Sequence, residues 1–157
     1  RYISVTGVQT CALPISKGAP GPFRQFSEST KSAAEAAAAL GCDVGQIASS
    51  LVFDADGEVV VVLKSGAFRV DTEKFAQILG CSNIQRATSD QVRSTTGQAI
   101  GGVSPVGWPT TPRVFIDGAL AAFDVVWAAC GTPNAVFATS FDELQKLTNA
   151  EVLSLRD

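Results

Sequence analysis

A chain of 157 residues with 46% apolar side chains is one domain's worth of sequence, with enough apolar content for a single buried core. Charged residues are 17% and the mean hydropathy is +0.22, which excludes a charge-extended disordered chain. No apolar run approaches the ~18 residues of a membrane span, and the net charge of −3 argues against tight non-specific nucleic-acid binding. There is no histidine, so Ser-His-Asp and Cys-His nucleophile systems, histidine zinc sites and histidine bases are excluded together.

Methionine is absent, even at position 1, and VTGVQTCALPIS within Arg1–Ser16 resembles translated sequencing-adapter read-through. Residues 1–16 are therefore expected to be non-native, residues 17–23 to be a linker, and residues 24–157 to form the domain. Arg1, Lys17 and Arg24 carry all the charge of the first 24 positions, so the remainder has a net charge of −6. Inside that acidic body, residues 64–113 hold Lys64, Arg69, Lys74, Arg86, Arg93 and Arg113 against Asp71, Glu73 and Asp90. A local basic face could take a few phosphates; a solvated charged surface is the alternative.

Ser32-Ala33-Ala34-Glu35 predicts a capped helix through Leu40 with Gly41 as its stop. Asp56-Gly57 between Ser50–Ala55 and Glu58–Lys64 predicts a hairpin, and the continuous apolar run Val59–Leu63 predicts a strand buried on both faces. Asp71 caps a helix with Phe75, Ile78 and Leu79 inward, ending at Gly80; Thr88-Ser89-Asp90-Gln91 opens another toward Gly97. Strands are expected at Arg113–Ile116, Val125–Ala129 and Ala135–Thr139, with Asp117-Gly118 as a second strand-joining turn, and a last helix after Ser140. Interspersed helices and hairpins predict an α+β fold with a mixed, largely antiparallel sheet.

The four cysteines, Cys11, Cys42, Cys81 and Cys130, show no metal or disulfide spacing and read as small buried thiols in a reducing cytoplasm. Between Gly97 and Pro112, glycines and prolines are too dense for a helix or central strand. Such a loop can present successive backbone N–H groups to an anion or oxyanion, or can be a tight crossover without ligand. It is neither G-x-G-x-x-G nor a P-loop.

LGCDVGQIASSLVF (Leu40–Phe53), SGAFRVD (Ser65–Asp71), TGQAIGGVSPVG (Thr96–Gly107), FID (Phe115–Asp117), VWAACGTP (Val126–Pro133) and VFATSFDELQKLT (Val136–Thr148) together resemble the YbaK/EbsC family. These are aminoacyl-tRNA deacylases related to the editing insertion domain of bacterial prolyl-tRNA synthetases. The resemblance implies a barrel-like sheet flanked by helices, and a trans-editing hydrolase that cleaves the ester of a tRNA mischarged with a small amino acid. Its partners would be the aminoacyl-tRNA acceptor end and an aminoacyl-tRNA synthetase, with no cofactor, metal or membrane. By the same resemblance, Gly101, Gly102, Val103, Ser104 and Pro105 frame the aminoacyl pocket with Gly107, Asp117 falls on an acidic strand-end position, and Gly131 lies opposite the pocket. Ser49 stands where active deacylases of the family typically carry lysine.

An aminoacyl ester is already labile, so a catalyst need only position water and stabilise the oxyanion, which backbone N–H donors can do. Lysine at an ordinary pKa would hold phosphate or substrate rather than act as base. Ser49 and Ser50 can donate hydrogen bonds but have no histidine to make them nucleophiles; Lys64 or Arg69 could substitute for the missing charge. Asp117 is equally a turn former. Trp108 is either a stacking surface for the terminal adenine or a loop anchor. Val52, Val61, Leu63, Val103 and Phe115 read as core, some of them walling the pocket. A catalytically silent module binding an aminoacyl-tRNA end is the rival reading, and a thiol-dependent redox protein a third.

Overall fold

A computed structural model describes residues 22–27, 32–132 and 134–154. The expected non-native segment and most of the expected linker lie outside the described residues, as does Cys11. In chain order the elements are β1 (Phe23–Gln25), α1 (Ala33–Leu40), a 3-10 turn (Val44–Gln46), β2 (Ile47–Ala55), β3 (Glu58–Ser65), α2 (Thr72–Leu79), β4 (Ile84–Arg86) and α3 (Ser89–Thr96). After the glycine-rich loop follow β5 (Arg113–Asp117), a second 3-10 helix (Gly118–Ala122), β6 (Val126–Ala129), β7 (Ala135–Thr139), α4 (Phe141–Thr148) and β8 (Glu151–Leu153).

The β2–β3 hairpin is the centre of the sheet. Asp56 and Gly57 take φ of 50° and 93°, the left-handed pair that a two-residue turn matched to strand twist requires. From that turn the register runs from Ala55↔Glu58 to Ala48↔Ser65. The strand order is β1-β7-β6-β2-β3-β5-β8, with β4 added to β2; β1/β7, β2/β3, β2/β4 and β6/β7 are antiparallel, and β2/β6, β3/β5 and β5/β8 are parallel. The fold is α+β with a mixed, largely antiparallel sheet, as the sequence predicts.

Val60, Val61 and Val62 are 0% exposed because β3 carries core on both faces. Val61 and Leu63 join Val52, Val114, Ile116, Val126 and Phe137 in the larger cluster, whereas Val60 and Val62 meet Phe53, Phe75 and Phe115 on the other face. Phe75 of α2 is packed edge-on between Phe53 and Phe115, with ring centroids at 5.8 and 5.2 Å. Each such buried aliphatic side chain is worth ~1.5–3 kcal/mol relative to exposure.

Two expectations are corrected. Ile78 is 45% exposed, because the eight-residue α2 presents only Phe75 fully to the core. Asp117-Gly118 joins no neighbouring strands: Asp117 stays at φ −70°, its side chain caps Ala119 N–H, and the chain enters a 3-10 helix. Strand β5 lies between β3 and β8, so its exit must cross to reach β6.

Candidate active site in a gap of the sheet

Along one edge, β2 has two partners that do not meet. Strand β6 pairs with Ile47 and Ala48, and β4 with Phe53, Asp54 and Ala55. Strand residues alternate the edge to which their N–H and C=O point, and Val52 accepts from Ala87 N–H on the β4 side at 3.0 Å. Ser50 therefore turns its main-chain N–H and C=O toward that same edge, where no described strand pairs with it. Its hydroxyl is buried and also lacks a partner among the described residues. Buried polar groups are normally satisfied, so this cluster of open positions is a place for a ligand.

A cavity of about 250 Å³ occupies the gap. Ala48–Val52 of β2 form its floor, Ser32, Ala33 and Ala36 of α1 one wall, and Trp127, Ala129 and Val136 of β6 and β7 another. Arg86, Ala87 and Val92 close the β4 and α3 side, and Ile100–Val103 of the glycine-rich loop lie across it. The lining is mainly apolar. Among the described residues it contains no carboxylate and no thiol, and its one charged side chain is Arg86.

The loop owes its shape to backbone conformations that side chains resist and to internal hydrogen bonds. Gly101, Gly102 and Gly107 have φ of 89°, 98° and 83°. Thr96 Oγ1 accepts from Gln98 N–H, Gln98 Oε1 accepts from the buried Ser104 N–H at 2.7 Å, and Trp108 Nε1–H donates to Ser104 O at 2.8 Å. Ile100, 52% exposed, sits at the cavity mouth.

The structure brings Ser49, Ser50, Gly101, Gly102 and Val103 together at the cavity. The other expected positions do not line it. Ser104 and Pro105 are buried beneath the loop, and Gly107 follows them. Trp108 is half-buried, with its ring packed on the core and its indole N–H held by Ser104 O, the arrangement of a loop anchor. Asp117 is 2% exposed at the end of β5, occupied with Ala119 N–H. Gly131, at φ 111°, forms the turn between β6 and β7. Arg69 is exposed beyond β3.

Lys64 is paired in register with Ser49, yet it does not supply a free charge. Its Nζ donates to Phe68 O at 2.7 Å and Ser65 O at 3.1 Å. Burial first, then the Arg69 and Arg86 charges, push its pKa down, opposed by Asp117. None of the described thiols lines the cavity: Cys130 is buried, Cys42 and Cys81 are half-buried, and burial followed by the Asp43 charge pushes the Cys42 thiol up, which disfavours the reactive thiolate.

Arg86 and Trp127 line the cavity although reading by motif singles out neither as a site residue. Arg86 was visible only as one member of a basic zone. It is placed by β4, which the Asp56 carboxylate fixes by accepting Ser82 N–H at 2.7 Å and Asn83 N–H at 2.9 Å.

Among the described residues the recess combines a mostly apolar lining with the open main-chain edge of Ser50, its unpartnered hydroxyl and the Arg86 guanidinium. The family model of the aminoacyl-tRNA editing domain matches residues 27–147, and the chain belongs to that family. It is 30% identical over 129 residues to the uncharacterised protein YwhH of Bacillus subtilis, covering 82% of each chain. It is also 36% identical over 93 residues to proline–tRNA ligase of Nitratidesulfovibrio vulgaris strain DP4, which is 59% of this chain but 16% of that enzyme. Among solved structures, a proposed trans-editing enzyme for prolyl-tRNA synthetase superposes with a TM-score of 0.89 and 37% identity over 99% of both chains. No helix among the described residues is long and apolar enough to cross a membrane.

Proposed function

We propose that the protein is a trans-editing hydrolase that cleaves the ester of a tRNA mischarged with a small amino acid. The observation that carries this reading is the gap in the pairing along β2: an unpaired main-chain edge and an unsatisfied Ser50 hydroxyl at a cavity that the glycine-rich loop also lines, in a chain of the aminoacyl-tRNA editing family. The cavity's 250 Å³ falls below the ~300–1,000 Å³ of pockets for drug-sized ligands, which suits a small aminoacyl group.

In this reading the acyl group enters between β2 and Gly101–Gly102, its side chain against Val52, Val92 and Val103. With no carboxylate among the described residues of the lining, the α-ammonium donates to Ser50 C=O and to the Ser49 or Ser50 hydroxyl. Main-chain N–H groups of the loop and of Ser50 receive the oxyanion as water attacks the carbonyl carbon. These donors cost no reorganisation as charge develops, which is why they stabilise the transition state more than the ground state. The terminal ribose hydroxyl assists in deprotonating the water, the acyl C–O bond breaks, and the leaving ribose oxygen takes the proton.

The test is hydrolysis of alanyl, cysteinyl, seryl and threonyl esters on several tRNAs, with Ser49→Lys and Gly101→Ala alongside. Release of one amino acid by the unaltered chain, lost in Gly101→Ala, is expected. Absence of release from every substrate, even with Ser49→Lys, would overturn the hydrolase reading and leave a binding module to be pursued by ligand capture.

A further inference from the structure

Among the described residues the cavity carries charge at one point. Arg86 is the sole charged side chain of that described lining, and the one ion pair of the described residues is Arg113–Glu151, so Arg86 pairs with no described carboxylate. Its guanidinium is nevertheless held in place. Arg86 lies directly across from Phe53 in the β2–β4 register, and its Cζ sits 5.7 Å from the centroid of that buried ring. A guanidinium stacked on an aromatic face keeps its in-plane N–H donors free, and a preset orientation lowers the entropy lost on binding.

Other cations near Ser49 are differently engaged. The Lys64 ammonium is half-buried and donates to two carbonyls, and Arg69 does not reach the cavity. Arg86 thus combines exposure, a planar fork with no hydrogen-bond partner among the described residues, and a position at the rim between β4 and the β2 floor.

We propose that Arg86 receives a backbone phosphate of the single-stranded acceptor end as the aminoacyl group enters the cavity, an assignment that rests on the editing function proposed above. A phosphodiester is the anion such an end presents next to its terminal ribose, and the guanidinium fork matches two of its oxygens. The contact holds the substrate at a point removed from the ester, so Arg86 is a binding residue rather than a catalytic one.

The experiment is fluorescence anisotropy with a labelled, 5′-phosphorylated CCA trinucleotide, comparing the unaltered chain with Arg86→Gln and Arg86→Lys across a salt series after equal Tm has been verified. Arg86→Gln is expected to weaken binding by about 10- to 100-fold, the worth of one charge-assisted hydrogen bond. The slope of log K against log salt should fall by about 0.7, one single-strand phosphate contact, while Arg86→Lys retains the slope. In hydrolysis, Arg86→Gln should raise KM for the aminoacyl-tRNA with kcat unchanged and leave cleavage of the corresponding aminoacyl methyl ester, which has no phosphate, as it was. Equal affinity and slope in the unaltered chain and Arg86→Gln, no binding of the trinucleotide at all, or equal losses on both esters would overturn the assignment. Trinucleotide binding that depends on Arg86 without hydrolysis of any ester would instead overturn the hydrolase and keep the contact.

Discussion

The side chain of Gln98 accepts the main-chain N–H of Ser104 at 2.7 Å, closing the glycine-rich loop across six residues, while its own amide nitrogen remains buried without a partner among the described residues. The loop's shape is therefore fixed by a side chain that does not itself line the cavity. Truncation to Gln98→Ala orphans a buried N–H, so a stability loss of ~1–3 kcal/mol is expected in urea unfolding. Hydrolysis should fall with it, because donors at Gly101 and Gly102 lose their support. Unchanged stability would show that the loop holds its shape without this bond.

Gly101 has open space where a Cβ would stand, but its φ is 89°. Substitution by alanine is thus a test of backbone conformation rather than of bulk. Gly101→Ala should cost ~1–3 kcal/mol in strain or shift the loop, with most of the effect appearing in kcat. An alanine variant with full kcat would separate the loop from oxyanion stabilisation.

Phe75 is the one helical side chain of α2 that reaches between Phe53 and Phe115. Phe75→Ala is expected to destabilise the fold by ~3–5 kcal/mol, read by chemical denaturation, since the cavity opens between a helix and two strands that cannot easily collapse. A loss below ~1 kcal/mol would mean that the α2 layer relaxes onto the sheet.

Asp54 ties the hairpin to α3: it accepts from Gln91 Nε2 at 2.6 Å and from Gly57 N–H at 2.7 Å. The Gln91 bond first, and the Gly57 N–H second, hold its carboxyl below the ordinary value of 3.8. A carboxyl whose pKa is depressed on folding contributes stability above its unfolded-state pKa and loses it as pH falls through the folded-state value. The unaltered protein should accordingly lose stability more steeply than Asp54→Asn as pH falls through 3.8 and below, and parallel acid profiles would remove Asp54 from the acid response.

Lys64 gives the opposite case. Burial lowers its pKa from 10.5, so the unfolded chain binds the extra proton and the stability attributable to this group rises as pH climbs from the folded-state value toward 10.5. Unfolding measured through the alkaline range up to pH 10.5 should show that rise in the unaltered chain and a flatter profile in Lys64→Met, where equal slopes would contradict it.

Local signals in the sequence were sufficient wherever an element is determined by its own residues. Ser32, Asp71, Thr88 and Ser140 cap the helices they announce, Gly41, Gly80 and Gly97 end three of them, and Asp56-Gly57 makes the central hairpin. Strands β1, β4 and β8 were not legible, since three residues are too few to show a period and each exists only by pairing with a distant partner. Asp117-Gly118 misled for a related reason: the dipeptide permits a hairpin, but the parallel partners of β5 forbid one.

By itself the sequence determined the α+β class, the doubly buried third strand, the loop from Gly97 and, through its ordered motifs, the editing family. Those features depend on residue chemistry and on spacing along the chain. Tertiary structure alone decided where the cavity lies, that Ser50 lines it with open hydrogen-bonding groups, that Trp108 packs on the core and bonds to Ser104 O, and that Arg86 lines the cavity while Lys64 does not. A gap in a sheet is a property of two strands that fail to meet, and no local pattern encodes the place where pairing stops.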